Sequence, residues 1–217
     1  MSIATLILGE SGTGKSTSLR NMSPADTLLI QAVRKPLPFR SADWRTFDKE
    51  AGKNGNVFVS DDSEKIIALM TKTRRKVIVL DDFQYVLANE FMRRTAEKGY
   101  DKFTEIARHA WDVFTAATNL NDNRRVYILS HTAMDDHGNT KIKTIGKMLD
   151  EKITLEGLVS IVLKTRVVDG RYLFSTRNNG QDTVKTPVDL FDEAYIDNDL
   201  AAVDAALCSY YGINQPA

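Results

Sequence analysis

One segment near the start of the chain constrains its fold and chemistry more than any other. Its eight residues read Gly9-Glu10-Ser11-Gly12-Thr13-Gly14-Lys15-Ser16 and match the pattern G-x-x-x-x-G-K-[ST] at every fixed position. An apolar run from Ile3 to Leu8 precedes it and is typical of one buried strand. Glycines at these positions let successive backbone N–H groups converge on one point, which makes a nest for an anion. The segment, called the phosphate loop below, therefore predicts a phosphate-binding turn.

The residue types after the glycines indicate a nucleoside triphosphate with a magnesium ion. Lys15 is expected to reach the β- and γ-phosphates, and the Ser16 hydroxyl to complete the magnesium shell. A helix predicted over 16–22 would add its positive end to the same point. A dinucleotide fingerprint is rejected, because Thr17 stands where its third glycine belongs. The residues expected to contact ATP are Gly9, Glu10, Ser11, Gly12, Thr13, Gly14, Lys15, Ser16 and Thr17.

Length and composition set the frame for this site. A chain of 217 residues suits one α/β domain, expected over 1–217. Lysine plus arginine and aspartate plus glutamate both total 29, so nucleic-acid binding would need a local patch or an assembled oligomer. No apolar run is long enough to predict a membrane span. The single cysteine, Cys208, cannot form an internal disulfide, and a reducing cytoplasm is expected.

A second apolar run ends in paired acids. Val77 to Leu80 predict a buried parallel strand, and Asp81 and Asp82 follow at its carboxyl end. Ligands bind at that edge of open α/β sheets. Asp81 is expected to help hold magnesium and Asp82 to hold the attacking water. Glu10 or a residue near Asp61 competes for the second task, and helix capping is the alternative for the pair.

A third apolar strand, Val126 to Leu129, leads into Ser130-His131-Thr132. His131 at such a tip is expected to touch the γ-phosphate or the water and so to report nucleotide state. A purely structural histidine remains equally open. Zinc binding by His131 with Asp135, Asp136 and His137 lacks cysteine and regular ligand spacing.

Periodicity and turn residues predict the remaining elements. Ala133 to Glu156 is expected to be a long polar loop. A hairpin is expected around Asp169-Gly170. The other predicted strands are 27–30 and 57–60, and the other predicted helices are 61–75, 83–97, 103–118 and 197–211.

Three motifs, GESGTGKS, VIVLDD and ILSHT, resemble the additional-strand branch of P-loop ATPases. More narrowly, the chain resembles the RecA-like ATP-binding proteins of bacteriophages, which are linked to single-strand annealing and recombination. The resemblance implies a RecA-like P-loop NTPase of the α/β class. Its mostly parallel central sheet would be flanked by helices and carry a C-terminal β-hairpin. It also implies ATP hydrolysis with Mg²⁺ in the host cytoplasm.

The same resemblance implies partners and further site residues. Lys141, Lys143 and Lys147, after the third strand, would contact single-stranded DNA. Lys164 and Arg166 would reach a neighbour's ATP in a homo-oligomer, with a gain of about 10³–10⁵ in turnover if an arginine is supplied this way.

The chain also departs from that family. Gln31-Ala32-Val33 follows the second strand, where RecA proteins place a catalytic glutamate. This leaves filament assembly and the identity of the base open. Two other functions stay open as well. One is a small nucleotide kinase, although Arg124-Arg125 is too short for an arginine-rich lid. The other is a nucleotide-gated assembly or loader protein.

Overall fold

Strands and helices fill most of residues 2–121 and 123–213, the part of the chain that the computed structural model describes. The strands of this part are β1 (Ile3–Gly9), β2 (Thr27–Gln31), β3 (Val57–Val59), β4 (Val77–Asp81), β5 (Arg125–Met134), β6 (Thr140–Ile142), β7 (Ile161–Val168), β8 (Arg171–Ser175) and β9 (Tyr195–Asp197). Its α-helices are α1 (Ser63–Lys72), α2 (Gln84–Arg93), α3 (Asp101–Thr118) and α4 (Leu200–Tyr210). Short 3₁₀ helices cover Ser16–Asn21 and Leu155–Leu158, and a π-helical turn covers Met148–Lys152.

The strands form one mixed sheet in the order β3-β2-β4-β5-β1-β7-β8-β9. The six strands from β3 to β7 in this order pair in parallel, while β8 and β9 continue antiparallel. β6 pairs antiparallel with the outer part of β5. The predicted α/β class, with a mostly parallel sheet, flanking helices and a C-terminal β-hairpin, is confirmed at this level.

The central strands are apolar on both faces because each face is covered by helices. All five residues of β4 are buried. Ile78 and Leu80 belong to the core under α1, α2 and α3, whereas Val77 and Val79 belong to the core under α4 and the first 3₁₀ helix. This two-sided burial explains why the sequence shows continuous apolar runs rather than alternation.

Parallel pairing brings three predicted site segments to one edge of the sheet. β5 lies between β1 and β4, and its His131 is opposite Gly9 in the register. Asp81 ends β4, two strands away from β1, and aligns with Gln31 of β2. Because all these strands run in the same direction, their carboxyl ends lie at one edge of the sheet, where ligands bind in open α/β folds.

The hairpin around Asp169-Gly170 forms as the sequence predicts. Asp169 has φ 51° and Gly170 has φ 75°, so both central residues are left-handed, as a two-residue type I′ turn requires. The turn joins β7 to β8. β9 was not predicted, because Tyr195-Ile196-Asp197 has only one aliphatic residue, whereas the three-residue β3 is Val-Phe-Val.

The prediction of a polar loop over Ala133 to Glu156 is wrong. β5 continues to Met134, so Ser130, His131 and Thr132 lie within a strand rather than at its tip. Thr132 pairs with Ile142 of β6. Ile142, Leu149 and Leu155 are buried, and the buried Glu156 accepts a 2.8 Å hydrogen bond from the Ile142 N–H. These apolar residues are separated by lysines and other polar residues at irregular spacing, so the sequence shows no helix or strand period here.

Two helix predictions also need correction. The segment after the phosphate loop is a 3₁₀ helix of six residues, and the Ser18 hydroxyl donates to the Lys15 carbonyl at 2.6 Å within it. Such side-chain bonding to the backbone competes with regular α-helix. α2 ends at Arg93 rather than Glu97. Arg94 caps it and bonds Glu90 and Glu97. None of the described helices is both long and apolar enough to cross a bilayer.

Candidate nucleotide-binding site

A cavity of about 340 Å³ lies at the carboxyl edge of the sheet, where the phosphate loop meets β4 and β5. Its size falls within the usual range for small-molecule sites, about 300–1,000 Å³. Its wall is made by Ser11, Gly12, Gly14, Lys15, Ser16, Thr17, Val33, Lys35, Pro38, Asp82, Tyr85, His131 and Tyr172. Most residues of the predicted loop therefore face one concave space together with Asp82 and His131.

The start of the phosphate loop is packed against β7. A Cβ atom on Gly9 would lie 1.8 Å from the Thr165 hydroxyl and 2.8 Å from that of Thr13. These two hydroxyls are 2.6 Å apart, and the Thr165 hydroxyl also donates to the Leu8 carbonyl at 3.2 Å. Position 9 therefore needs glycine because of a close approach, and the two threonines fix where the loop begins.

The other end of the loop is packed against β8 and the start of α4. Gly14 has φ 99°, and a Cβ atom there would lie 2.9 Å from the Tyr172 ring and 3.1 Å from the Asn198 amide oxygen. Asn198 is 1% exposed, and neither polar atom of its side-chain amide has a hydrogen-bond partner among the described residues. Arg20 donates to the Asn198 carbonyl, which ties this residue to the 3₁₀ helix.

Lys15 is folded back on the phosphate loop. It is 6% exposed, and its ammonium group donates to the carbonyls of Gly9 at 2.8 Å and Glu10 at 2.7 Å. Burial lowers its pKa from 10.5 to about 8, although Asp82 and Asp81 partly oppose the change. A phosphate in the loop would offer the ammonium a far stronger acceptor than these carbonyls.

Ser16 and Asp81 are in direct contact. The Ser16 hydroxyl lies 3.0 Å from each carboxylate oxygen of Asp81. Asp81 is fully buried, and burial together with the charge of Asp82 raises its pKa to about 6. A hydroxyl beside a carboxylate is an oxygen donor set that suits magnesium, which keeps waters and phosphates as its other ligands.

A site made by protein ligands alone is not seen among residues 2–121 and 123–213. No group of three or more histidine, cysteine or acidic side chains there is arranged to hold a metal ion. Ser16 and Asp81 therefore fit a magnesium ion that arrives with a nucleotide better than a permanently bound ion. Such an ion would neutralise phosphate charge in this cavity.

Asp82 is held by two basic side chains. It takes the left-handed conformation, with φ 64°, which aspartate tolerates better than most residues. Its carboxylate pairs with Lys35, and the His131 Nε2 lies 3.6 Å from its Oδ1. Although burial acts in the opposite direction, the contacts with His131 and Lys35 lower the pKa of Asp82. Asp82 is therefore an ionised group beside the phosphate loop.

The basic residues implied by the resemblance lie outside the cavity wall. Lys141 donates to the Asp150 carbonyl at 2.9 Å, whereas Lys143 and Lys147 are exposed. Lys164, next to the start of the phosphate loop, is partly buried and donates to the Thr140 hydroxyl at 3.0 Å. Arg166 donates to the Tyr195 hydroxyl at 3.2 Å and its guanidinium lies 5.9 Å from that ring.

Six residues of the cavity region were missed from sequence. They are Val33, Lys35, Pro38, Tyr85, Tyr172 and Asn198. Tyr85 follows the paired acids by three positions, so the acid motif could have indicated it. Lys35 lies in an irregular proline-containing segment, and Tyr172 and Asn198 reach the loop only through the fold of the C-terminal strands.

A larger cavity, of about 900 Å³, lies away from this site, between β3 and α1. Phe47 and Phe58 stack in its wall with ring centres 4.6 Å apart. Asp61, near which a competing base was expected, lines this cavity and binds Arg93 at 2.6 Å and Asn89 at 2.8 Å. If volume alone were used, this cavity would be the first candidate for a ligand site. The phosphate loop and the paired acids, however, lie at the smaller cavity.

In the comparison with known proteins, the chain shows a distant structural likeness to a solved protein. No protein-family model matches the chain, and no curated protein is significantly similar to it. Among solved structures the chain is similar to a DnaB-like replicative helicase, described together with its interactions with primase. The TM-score is 0.46 and the sequence identity 14%, over 80% of this chain and 52% of that one. The chain thus spans about half the length of the helicase chain it matches.

Proposed function

We propose that the chain is a single RecA-like P-loop ATPase domain that binds ATP with Mg²⁺ and hydrolyses it. The observation that carries this proposal is the contact between Ser16 and Asp81, which joins the phosphate loop to the acid pair at one cavity. A glycine turn without a ligand would not require a hydroxyl, a carboxylate and two lysines around the same space, with a second carboxylate bonded to that hydroxyl. The position of β5 between β1 and β4 supports the additional-strand branch implied by the motifs.

The cavity supports hydrolysis as well as binding. Lys15 would exchange the loop carbonyls for phosphate oxygens, since a charged acceptor binds an ammonium more strongly than a neutral one. Asp82, ionised and close to His131, would orient the attacking water. The magnesium ion would stabilise charge on the phosphates. Tyr85 and Tyr172 on the cavity wall offer aromatic faces for the base of the nucleotide.

We propose that the partner is single-stranded DNA, in phage-type recombination or replication. The support is a short connection between the cavity and the exposed lysines. The Lys143 N–H donates to the His131 carbonyl at 2.8 Å, because β6 pairs with the outer part of β5. A shift of His131 on nucleotide binding would therefore be passed along one backbone hydrogen bond to the segment that carries Lys143 and Lys147.

The proposed assembly is a homo-oligomer in which basic residues of one protomer approach the neighbour's ATP. Arg166 supports this role because, among the described contacts, its side chain bonds only an exposed tyrosine. Arg166 is half-buried and lies next to the exposed end of β7. Lys164 is the weaker candidate, since it lies beside the phosphate loop of its own protomer.

ATPase rate per protomer, measured with and without single-stranded DNA across protein concentration, tests the proposal. We expect the rate to rise with concentration and with DNA, and DNA binding to weaken with salt at a log–log slope of about −0.7 per phosphate contact. Phosphate transfer to a nucleotide without free phosphate would instead indicate a kinase. Hydrolysis stimulated by a protein partner but not by DNA would indicate a loader.

A further inference from the structure

Lys35 is a second lysine in the wall of the nucleotide cavity, and its contacts differ from those of Lys15. Its ammonium group is paired with Asp82. The Lys35 side chain is 39% exposed, whereas that of Asp82 is 4% exposed. The lysine therefore reaches from the solvent side into the site and ends on a buried carboxylate that the proposed hydrolysis requires.

The backbone of Lys35 is anchored, whereas its side chain is partly exposed and is held at its ammonium end by Asp82. The Gln31 side-chain amide donates to the Lys35 carbonyl at 3.1 Å. Gln31 is itself buried at the end of β2, in register with Asp81. Pro36 follows and restricts the backbone further. A lysine has a flexible four-carbon stem, so its ammonium can change partners without movement of the main chain.

The pairing seen here weakens Asp82 as a base. A carboxylate held by an ammonium is a weaker proton acceptor, and the contact occupies part of its capacity to accept hydrogen bonds from a water. The terminal phosphate of ATP would be a second acceptor for the same ammonium, with more negative charge and within the same cavity. ADP has no such group.

We propose that Lys35 moves from Asp82 to the γ-phosphate of bound ATP, where it distinguishes ATP from ADP and leaves Asp82 free to hold the attacking water. This inference rests on the proposed function. A ligand shifts such an equilibrium only by its different affinity for the two arrangements, and here the difference is one phosphate group. With ADP bound, Lys35 stays on Asp82.

The test is the affinity for ATP and for ADP, both with Mg²⁺, of the wild type and of four single variants measured by calorimetry. Lys35→Ala removes the ammonium and Lys35→Arg keeps a cation. Arg34→Ala removes the neighbouring exposed cation, which does not line the cavity, and is the matched control. Lys15→Ala reports on the phosphate loop itself.

We expect Lys35→Ala to weaken ATP binding by about 10- to 100-fold, since hydrogen bonds to charged groups are worth this much, and to leave ADP binding within about threefold. Lys35→Arg is expected to retain most of the preference, and Arg34→Ala all of it. The proposed role of Lys35 would be overturned if Lys35→Ala changed the affinities for ATP and ADP equally, changed neither, or increased both. These outcomes would leave the proposed function standing. A wild type that binds neither nucleotide, or a Lys15→Ala variant that binds both as well as the wild type, would overturn the proposed function as well.

Discussion

The Ser16 hydroxyl lies 3.0 Å from both carboxylate oxygens of Asp81, a residue 65 positions further along the chain. One residue follows the glycines of the phosphate loop, and the other ends a strand two positions away in the sheet. Their contact makes magnesium dependence the first property to test.

Replacing Ser16 with alanine should uncouple nucleotide binding from magnesium. The wild type is expected to bind ATP more tightly with Mg²⁺ than with a chelator. In Ser16→Ala this gain should fall by about 10- to 100-fold, because the hydroxyl proposed as a ligand of the ion is lost. Titrations of ATP with and without Mg²⁺ measure the gain. Ser209→Ala, an exposed serine on α4, is the control. An undiminished gain in Ser16→Ala would remove this residue from the metal site.

Asp81→Asn should stabilise the protein without ligands. Burial and the charge of Asp82 raise the pKa of Asp81 to about 6, above the value of about 3.9 for an unfolded aspartate. Between these values the native state binds more protons than the unfolded state, so stability falls as pH rises. We expect Asp81→Asn to be more stable than wild type by about 1–3 kcal/mol near pH 7.5 and the difference to shrink toward pH 4.

Urea unfolding at several pH values, without nucleotide or Mg²⁺, measures this difference. Asp136→Asn, which changes an exposed acid, is the control. If Asp81→Asn were less stable than wild type near neutral pH, the contacts of Asp81 would stabilise its charge by more than burial destabilises it. We expect the ionised Asp81 to lower the stability of the protein without ligands. Such a loss is typical of binding sites, where residues needed for function reduce stability.

Asp82→Asn should separate binding from hydrolysis. Asparagine has nearly the same shape and tolerates the left-handed conformation at φ 64°, so the backbone is expected to keep its path. Asparagine can accept a hydrogen bond from water but cannot take its proton, so turnover should fall by about 10²–10⁴ while ATP still binds. Single-turnover phosphate release together with ATP affinity provides the measurement. If Asp82→Asn kept near-normal turnover, Asp82 would not be the catalytic base, and Glu10 or another residue would have to take that role.

Gly9→Ala should destabilise the fold through Thr165. The new methyl group would lie 1.8 Å from the Thr165 hydroxyl, and overpacking of this kind costs about 1–3 kcal/mol. Thr165→Ala removes that oxygen along with its bonds to Leu8 and Thr13. In a double-mutant cycle the pair should be less destabilised than the sum of the two single changes. If the two changes in unfolding free energy simply added, the residues at positions 9 and 165 would not be in contact.

Reversing charge at Lys143 and Lys147 should weaken binding to single-stranded DNA. Both side chains are exposed, so the change is not expected to disturb the core. The double change to glutamate should lower affinity at every DNA sequence and reduce the salt slope by about 0.7 for each lost phosphate contact. Lys49→Glu with Lys53→Glu, two exposed lysines elsewhere, is the matched control. Equal losses in both pairs would indicate a general charge effect.

The central strands and the loop could be predicted because their signals are local. The glycine pattern, the run from Val77 to Leu80 and the Asp169-Gly170 turn each depend on a few adjacent residues. The grouping of Ser16 with Asp81 followed from parallel strands that end at one edge. These predictions needed no long-range information beyond strand direction.

The remaining features depend on contacts between distant segments. Lys35 reaches Asp82 from an irregular stretch that has no period, so nothing in its surroundings indicates the pairing. The segment from 133 to 156 folds because Ile142 and Leu149 enter a core already built by other helices. Lys164 was implied as a residue for a neighbour's ATP, yet its register beside Leu8 places it at its own phosphate loop, and this register is fixed only by the sheet.

The most direct test of the account is a crystal structure with a non-hydrolysable ATP analogue and Mn²⁺ in place of Mg²⁺, read by anomalous scattering. We expect the phosphates to be held by the amides of the phosphate loop. The manganese peak should lie about 2.0–2.2 Å from the Ser16 hydroxyl oxygen, on the side of Asp81. An analogue bound elsewhere, or a metal peak remote from both residues, would contradict the account.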